Sequence, residues 1–443
     1  MANQRFNHYI SSLIAAEINR FSKYYESATH VLPVQDVSDD VFANVQSDEK
    51  FVLENLSELS PLEDTDRRVL ILDGNFNHDE DIQDLLNQMY SKTGRGDRIV
   101  AVLCNPYFRW INKLVNLVKK APNGEQVTFI TKADINNLNK LCGYETVRLR
   151  NVGFVPFSLF GVGDFVNKLL AATPLLKWLS VASIVVLRPI KQFDSKPSLS
   201  IVIPARNESG NIENGLKRLP KMEGVDLEVI FVEGNSTDDT WEEIQRVVAL
   251  DDYKHLNCLA LQQTGKGKKD ATMTGFDAAS KDLVTVLDAD LTMPPESLPR
   301  FYEAYRSGQA DMVNGTRLMY PMEDEAMRFL NRLGNVFFAK ALSNVLDVSI
   351  GDSLCGTKLF ARRDHLRYLR WLADFGDFDP FGDFQMLFPG AELCLGTVDV
   401  PVVYKARTYG STNINRFRDG MILLKMTAQG FAKITLGAIP KNK

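Results

Sequence analysis

The sequence predicts an α/β protein of two domains, on three observations. Apolar runs of strand length alternate with amphipathic helical stretches from residue 67 onward. The run 283–290, Leu-Val-Thr-Val-Leu-Asp-Ala-Asp, is almost continuously apolar and ends in two carboxylates, Asp288 and Asp290, as expected of a parallel strand covered on both faces. A chain of 443 residues with 45% hydrophobic content can fill two cores, and the polar stretch 191–196 is the natural boundary between domains 1–195 and 196–443.

In the first 60 residues the pattern suggests helices over 9–25 and 48–59 and no identifiable chemistry. Strands are expected at 69–72, 98–104, 128–130, 145–150 and 183–187, with helices over 79–90, 107–119 and 132–141 between them. The stretch 129–148, Phe-Ile-Thr-Lys-Ala-Asp-Ile-Asn-Asn-Leu-Asn-Lys-Leu-Cys-Gly-Tyr-Glu-Thr-Val-Arg, resembles the later half of class I methyltransferases that use S-adenosylmethionine, and 181–189 resembles their closing strand. The resemblance implies a partial Rossmann-like domain. Such an enzyme needs a glycine-rich turn after an early strand, yet no glycine precedes Val69, and Asp73-Gly74 supplies only one. The expectation is a truncated, degenerate methyltransferase-like domain kept for packing or dimerisation, with a live methyltransferase as the alternative.

Residues 152–187 are rich in large apolar side chains, among them Phe154, Phe157, Phe160, Phe165, Leu169, Leu170, Leu175, Leu176 and Trp178, with Lys168 and Lys177 between them. Core packing is the first expectation, a surface lying on lipid the second.

A new alternation begins at Ser198. Strands are expected at 199–203, 227–232 and 256–261, helices over 211–219 and 241–248, a third helix after Gly265, and then the Asp288 strand. Two carboxylates beyond that strand's end are oxygen ligands suited to Mg2+ or Mn2+, and ligands collect at the carboxyl ends of such strands. Asp-x-Asp also fits a strand that merely ends in solvated acids or caps the helix announced by Pro294, Pro295 and Glu296.

Pro204-Ala-Arg-Asn-Glu-Ser is similar to the opening motif of glycosyltransferase family 2, and Asn235-Ser-Thr-Asp-Asp-Thr to its second element. Gly265-Lys-Gly-Lys-Lys-Asp-Ala, Asp288-Ala-Asp-Leu-Thr-Met-Pro-Pro-Glu, Gly315-Thr-Arg and Asp352-Ser-Leu-Cys-Gly-Thr-Lys-Leu-Phe resemble the dolichyl- and polyprenyl-phosphate sugar transferases within it. The resemblance covers essentially all of 196–443 and implies a GT-A Rossmann-like nucleotide-sugar domain. It places Pro204, Glu208, Glu233, Asn235, Lys266 and Asp288 on the nucleotide sugar, and Asp288 and Asp290 on the metal. Lys268, Arg317, Lys358 and Arg407 fall to the phosphates, and Asp383 and Asp352 are the candidate bases. Two departures stand out: Glu233-Gly234 replaces the usual acid pair, leaving uracil or guanine open, and Thr292 occupies a position often held by a metal-binding Gln.

A hydroxyl acceptor requires a carboxylate base, whereas a lipid phosphate is already ionised. Over 416–436, Phe417, Met421, Leu424, Ala428, Phe431 and Thr435 recur at helical spacing with Lys425 and Lys433. Residues 404–443 hold eight basic side chains and one acid, Asp419. Such a stripe commonly docks on the protein's own core; combined with this charge it also fits a helix in the membrane interface beside a polyprenyl phosphate. Residues 1–100 hold 9 basic and 18 acidic side chains, and 101–195 hold 12 and 5.

Cys104, Cys142, Cys258, Cys355 and Cys394 form no C-x-x-C pair, which argues against a zinc site or a disulfide framework and for a reducing cytosol. The N-terminus has no signal-peptide pattern, and no apolar run reaches spanning length. The expected function is an inverting, metal-dependent transfer of a hexose from a UDP- or GDP-sugar to a polyprenyl phosphate at the cytosolic membrane face. A membrane-anchoring subunit or a homo-oligomer is a plausible partner; nucleic acid is not expected. The alternatives are transfer to a glycan hydroxyl with Asp383 as base, and a non-catalytic scaffold.

Overall fold

The computed structural model describes residues 2–32, 40–60, 67–78, 81–105, 128–155, 157–158, 161–171, 173, 176, 179–320, 329–376, 378–407, 409 and 416–437. The chain forms two compact units. The first is Met1–Lys191 together with Glu392–Cys394 and Thr435–Ala438; the second is Gln192–Ala391, Leu395–Ile434 and Ile439–Lys443.

The first unit runs α1 (Ala2–Ser22), β1 (Ser27–Val31), β2 (Glu49–Leu53), β3 (Arg68–Asp73), α2 (Ile82–Lys92), β4 (Arg98–Cys104), α3 (Lys132–Cys142), β5 (Tyr144–Val152), α4 (Val162–Ala171) and β6 (Ala182–Pro189). Its sheet has the order β2-β1-β3-β4-β6-β5. The first four of these strands are parallel, and β6 lies antiparallel between β4 and β5. Val69, Leu70, Ile71 and Leu72 of β3 are fully buried, which is why the apolar run folds as a central strand. Asp81 caps α2 by accepting from the Asp84 amide, and a reciprocal Thr131/Asp134 box starts α3. Gly143 ends α3 at φ +77°, a left-handed position that favours glycine.

The expected helix over 48–59 is instead β2 followed by a 3-10 turn at Leu56–Glu58. Residues 49–53 pair in register with β1 at the sheet edge, where residues 49–52 stay exposed and leave no alternating burial to read. Strand β1 was likewise not anticipated, because Ser27, Thr29 and His30 dilute its apolar signal. Residues 128–130 form no strand; the Thr128 amide donates to Asn77 O at 2.8 Å just ahead of the α3 cap. The expected helix over 107–119 lies outside the described residues.

Residues 392–394 belong to the first unit, where Glu392 is wholly buried and ion-paired to Arg148 and, at 2.9 Å, to Arg20. Tyr25 Oη donates to Leu393 O at 2.7 Å, and Arg98 Nε donates to Cys394 O at 2.6 Å. Burial pushes the Glu392 carboxyl up, but Arg148 and Arg20 outweigh it and bring it down to about 2.

The second unit runs β7 (Leu199–Ala205), α5 (Ser209–Lys217), β8 (Leu227–Glu233), α6 (Thr240–Val248), β9 (Cys258–Gln262), α7 (Gly267–Ala278), β10 (Leu283–Val286), α8 (Leu298–Arg306), β11 (Met312–Thr316), α9 (Phe329–Leu346), β12 (Lys358–Ala361), α10 (Arg362–Phe375), α11 (Phe384–Glu392), β13 (Thr397–Pro401) and α12 (Arg416–Gly430). The sheet order is β13-β11-β12-β10-β7-β8-β9. β10, β7, β8 and β9 are parallel, and β12 runs antiparallel to both β10 and β11. The core on this sheet joins Leu199, Ile201, Val229, Phe231, Leu283 and Leu287 to Ile244, Phe301 and Leu359. Helix α7 crosses β7 so closely that a methyl group at Gly275 would collide with Val202.

Two apolar stretches lie elsewhere than the core. Phe157, Phe165 and Leu169 are exposed, as is Val162 beside them, against the expectation that 152–187 is core. On α12 the stripe Met421, Leu424, Ala428 and Phe431 faces out, while Leu423, Met426 and, beyond the helix, Ile434 are buried. Among the described residues no helix is long and apolar enough to cross a membrane.

Candidate functional site

The parallel neighbours β10, β7 and β8 bring their carboxyl ends to one edge of the second unit's sheet. Beyond each end one non-glycine residue takes a left-handed backbone: Asn207 (φ +55°), Asn235 (φ +58°) and Leu291 (φ +56°). Asparagine tolerates this conformation; for leucine it is an outlier, held here directly after Asp290.

After β10, Asp288 receives Lys268 Nζ at 2.6 Å. Burial pushes the Asp288 carboxyl up, but Lys268 pulls it below the usual carboxylate range, and Asp288 in turn holds the Lys268 ammonium above its ordinary value despite burial. Gly356 sits against this pair, and a methyl there would strike both Lys268 Nζ and the Asp288 carboxylate. Asp290 Oδ1 accepts from the Thr292 amide and hydroxyl at 3.1 and 2.8 Å, so Thr292 orients the carboxylate. Asp290 Oδ2 accepts from Arg407 Nη2 at 2.6 Å. The other terminal nitrogen of Arg407 donates to Glu208 Oε1 at 2.6 Å. Glu208 is buried, which raises its carboxyl, with Asn211 and Arg407 acting in the opposite direction.

Across the sheet, Arg317 is bound bidentately by Asp352, at 2.6 and 2.9 Å, under the ring of Tyr404 at 5.2 Å. Asp352 has no exposed surface and also accepts the amides of Arg317 and Leu354. Burial raises its carboxyl, but Arg317 brings it below the usual range. Its oxygens are committed to holding Arg317, which suits a positioning residue better than the base expected from sequence. Lys358 is fully buried, donates to Cys355 O and stands 3.4 Å from Asp383 Oδ1. Asp379 fixes the turn before Asp383 by accepting the amides of Phe381, Phe384 and Gln385 at 2.8, 2.7 and 3.0 Å.

The structure thus brings together Asp288, Asp290, Lys268, Glu208 and Arg407, and separately pairs Arg317 with Asp352 and Lys358 with Asp383. Glu233 is turned inward: it is buried and its oxygens accept the Ser236 amide and Gln262 Nε2, which leaves it holding the turn after β8. Asn235 donates to Gly265 O at 3.2 Å, Lys266 is exposed, and Pro204 is half-buried within β7. Sequence reading missed Tyr404, Asp379 and Gly356. Gly356 carried a signal, since it lies between Asp352 and Lys358 in a recognised motif; Asp379 and Tyr404 stood beside recognised residues without any mark of their own.

Residues 200–369 match the family model described as glycosyl transferase family 2. Residues 200–369 form a family 2 glycosyltransferase domain. These residues lie in the second unit, whose mostly parallel sheet has the GT-A-type Rossmann-like arrangement. The family 2 domain is similar to the dolichol-phosphate mannosyltransferase of Pyrococcus furiosus, with 32% identity over 30% of this chain and 37% of that protein. It is similar also to the dolichyl-phosphate hexose transferase of Haloferax volcanii, with 27% identity over 51% of this chain and 91% of that protein. Among solved structures, glucosyl-3-phosphoglycerate synthase from Mycobacterium tuberculosis is similar at a TM-score of 0.38 and 19% identity, over 56% of this chain and 82% of the other. The chain thus spans little more than a third of the first relative and most of the second.

Proposed function

We propose that the chain is an inverting glycosyltransferase that moves a hexose from a UDP- or GDP-sugar to a polyprenyl phosphate at the cytosolic face of a membrane. The observation that carries this is the Asp288, Lys268 and Asp290 group at the end of β10, with Arg407 laid across Asp290 and Glu208. Two aspartates offer only hard oxygen ligands, which fits Mg2+ or Mn2+, and among the described residues no third acidic, His or Cys group joins them. Asp288 and Asp290 would hold the cation, and the donor's diphosphate would supply further oxygens. A bound cation supplies charge neutralisation of the diphosphate leaving group.

Lys268 and Arg407 would meet donor phosphate and Arg317 acceptor phosphate. Lys358, fully buried on Cys355 O and Asp383, does not reach a ligand as the sequence led one to expect and would act on the site only through its charge. Arg317 is preorganised as a planar fork by Asp352, a geometry matched to a phosphate's oxygens. An ionised lipid phosphate attacks without a base, so Asp383 needs only to keep Lys358 in place. The relatives named for dolichol-phosphate transfer support this acceptor class. The outward stripe Met421, Leu424 and Phe431 on and just beyond α12, with exposed Lys425, supports a membrane-surface site. The second reading, transfer to a glycan hydroxyl, rests on Asp383 acting as base. For the first unit, the reversed β6 between β4 and β5 supports a degenerate methyltransferase-like domain.

Calorimetric titration with UDP-sugars and GDP-sugars, with and without Mn2+, tests the donor site. Binding of one nucleotide class that depends on metal and is lost in Asp290→Ala is expected. No binding of either class by the intact chain would overturn the proposal.

A further inference from the structure

Helix α4 in the first unit is built inside out. Its polar side chains face the protein: Asp164 accepts from Tyr9 Oη, and Asn167, only 6% exposed, accepts the Phe154 and Val155 amides at 2.7 Å each. Asn167 Nδ2 also donates to Val155 O at 3.0 Å and to Tyr9 Oη at 3.2 Å. Three of its large apolar side chains face solvent, Val162 at 60% exposed, Phe165 at 64% and Leu169 at 48%, with Phe157 at 51% just ahead of the helix, while Val166 and Leu170 are half-buried. The spacing of 162, 165 and 169 lays these groups in one stripe, and Lys168 is exposed beside it. A helix that only packed in this fold would present the opposite faces.

We propose that α4 and Phe157 form a membrane-insertion surface in the first unit, with Phe157, Val162, Phe165 and Leu169 entering the headgroup boundary of an anionic bilayer and Lys168 meeting lipid phosphate. The proposal goes beyond the glycosyltransfer reading, since nothing in it requires the acceptor to be a lipid. Charge favours this occupant. The one acid of the helix, Asp164, is turned inward onto Tyr9, whereas its one base, Lys168, is exposed. Area argues against a second copy of the chain. Four roughly half-exposed side chains offer about 400 Å², well short of the roughly 800 Å² per partner typical of a stable interface.

The test is cosedimentation of the full chain with vesicles of phosphatidylglycerol and phosphatidylcholine, and with phosphatidylcholine alone. Binding to the anionic vesicles is expected, with a loss of about a hundredfold for Phe165→Ser/Leu169→Ser, since each inserted apolar side chain contributes about tenfold. Lys168→Glu should weaken binding to the anionic vesicles with the apolar stripe intact. Equal sedimentation of wild type and the double variant would overturn the proposal, as would absence of binding to either vesicle. A double variant that instead converts a dimer to a monomer would overturn it in favour of self-association. Nucleotide-sugar titration of the same preparations separates this from the catalytic reading: donor binding should be unchanged in both variants, and its absence throughout would count only against the glycosyltransferase proposal.

Discussion

Arg407 holds Asp290 at 2.6 Å with one terminal nitrogen while the other holds Glu208 at the same distance. A guanidinium therefore stands where a cation on Asp290 must compete for the same carboxylate. With Arg407→Ala, Mn2+ added without nucleotide should bind about tenfold more tightly, the scale of one charge-assisted hydrogen bond. Donor binding in the presence of saturating Mn2+ should weaken, because the same residue is placed to meet phosphate. Electron paramagnetic resonance of free Mn2+ reads the first effect and calorimetry the second; unchanged Mn2+ affinity would show that Arg407 and the cation do not share Asp290.

Asp383 decides between the two acceptors. If the acceptor is a lipid phosphate, Asp383→Asn should keep transfer within roughly an order of magnitude, since the loss of a general base costs about 10²–10⁴-fold. Rates measured with a short polyprenyl phosphate and with a glycan hydroxyl acceptor make the comparison. A fall of the larger size on either acceptor would move Asp383 from holding Lys358 to proton transfer.

Gly356 lies where any side chain would push Lys268 off Asp288. Gly356→Ala is expected to weaken donor binding by about tenfold or more, the scale of a hydrogen bond between charged groups. The melting temperature should change less than donor affinity, since the collision is with the ends of two side chains, Lys268 and Asp288, and not with backbone. Calorimetry beside thermal unfolding checks both halves; a large loss of stability with intact donor affinity would contradict the placement.

Glu392 is a buried acid between Arg20 and Arg148. Glu392→Ala leaves two buried guanidiniums short of a partner and should cost about 3–5 kcal/mol. The folded carboxyl is depressed to about 2 from an ordinary 4.5. Its contribution is therefore complete above pH 4.5 and lost as pH falls from there toward 2. Denaturant unfolding of wild type and variant at pH 7 and pH 3 should show the difference between them narrowing at the lower pH.

The strands of the second unit were legible because they are buried on both faces and long apolar runs announce them, as at 199–205 and 283–286. The first unit was less legible at its edge: β2 is exposed over four of its five residues, and β1 carries polar side chains, so both strands exist by pairing with β3 or each other rather than by pattern. Residues 392–394 could not have been assigned to the first unit from sequence, because their partners Arg20, Arg98 and Arg148 lie some 250 to 370 positions away.

By itself the sequence determined the α/β class, the family 2 motifs and the residue types available for phosphate and metal. Tertiary structure decided which of those residues point at each other. Asp352 and Asp290 are both aspartates near recognised motifs, yet one is consumed by Arg317 inside the protein while the other meets Arg407 at the strand-end edge. The direction of an apolar stripe was decided in the same way. Periodicity shows that 162, 165 and 169 share a face of α4, but only the buried hydrogen bonds of Asp164 and Asn167 to Tyr9 and to the 154–155 backbone turn that face outward.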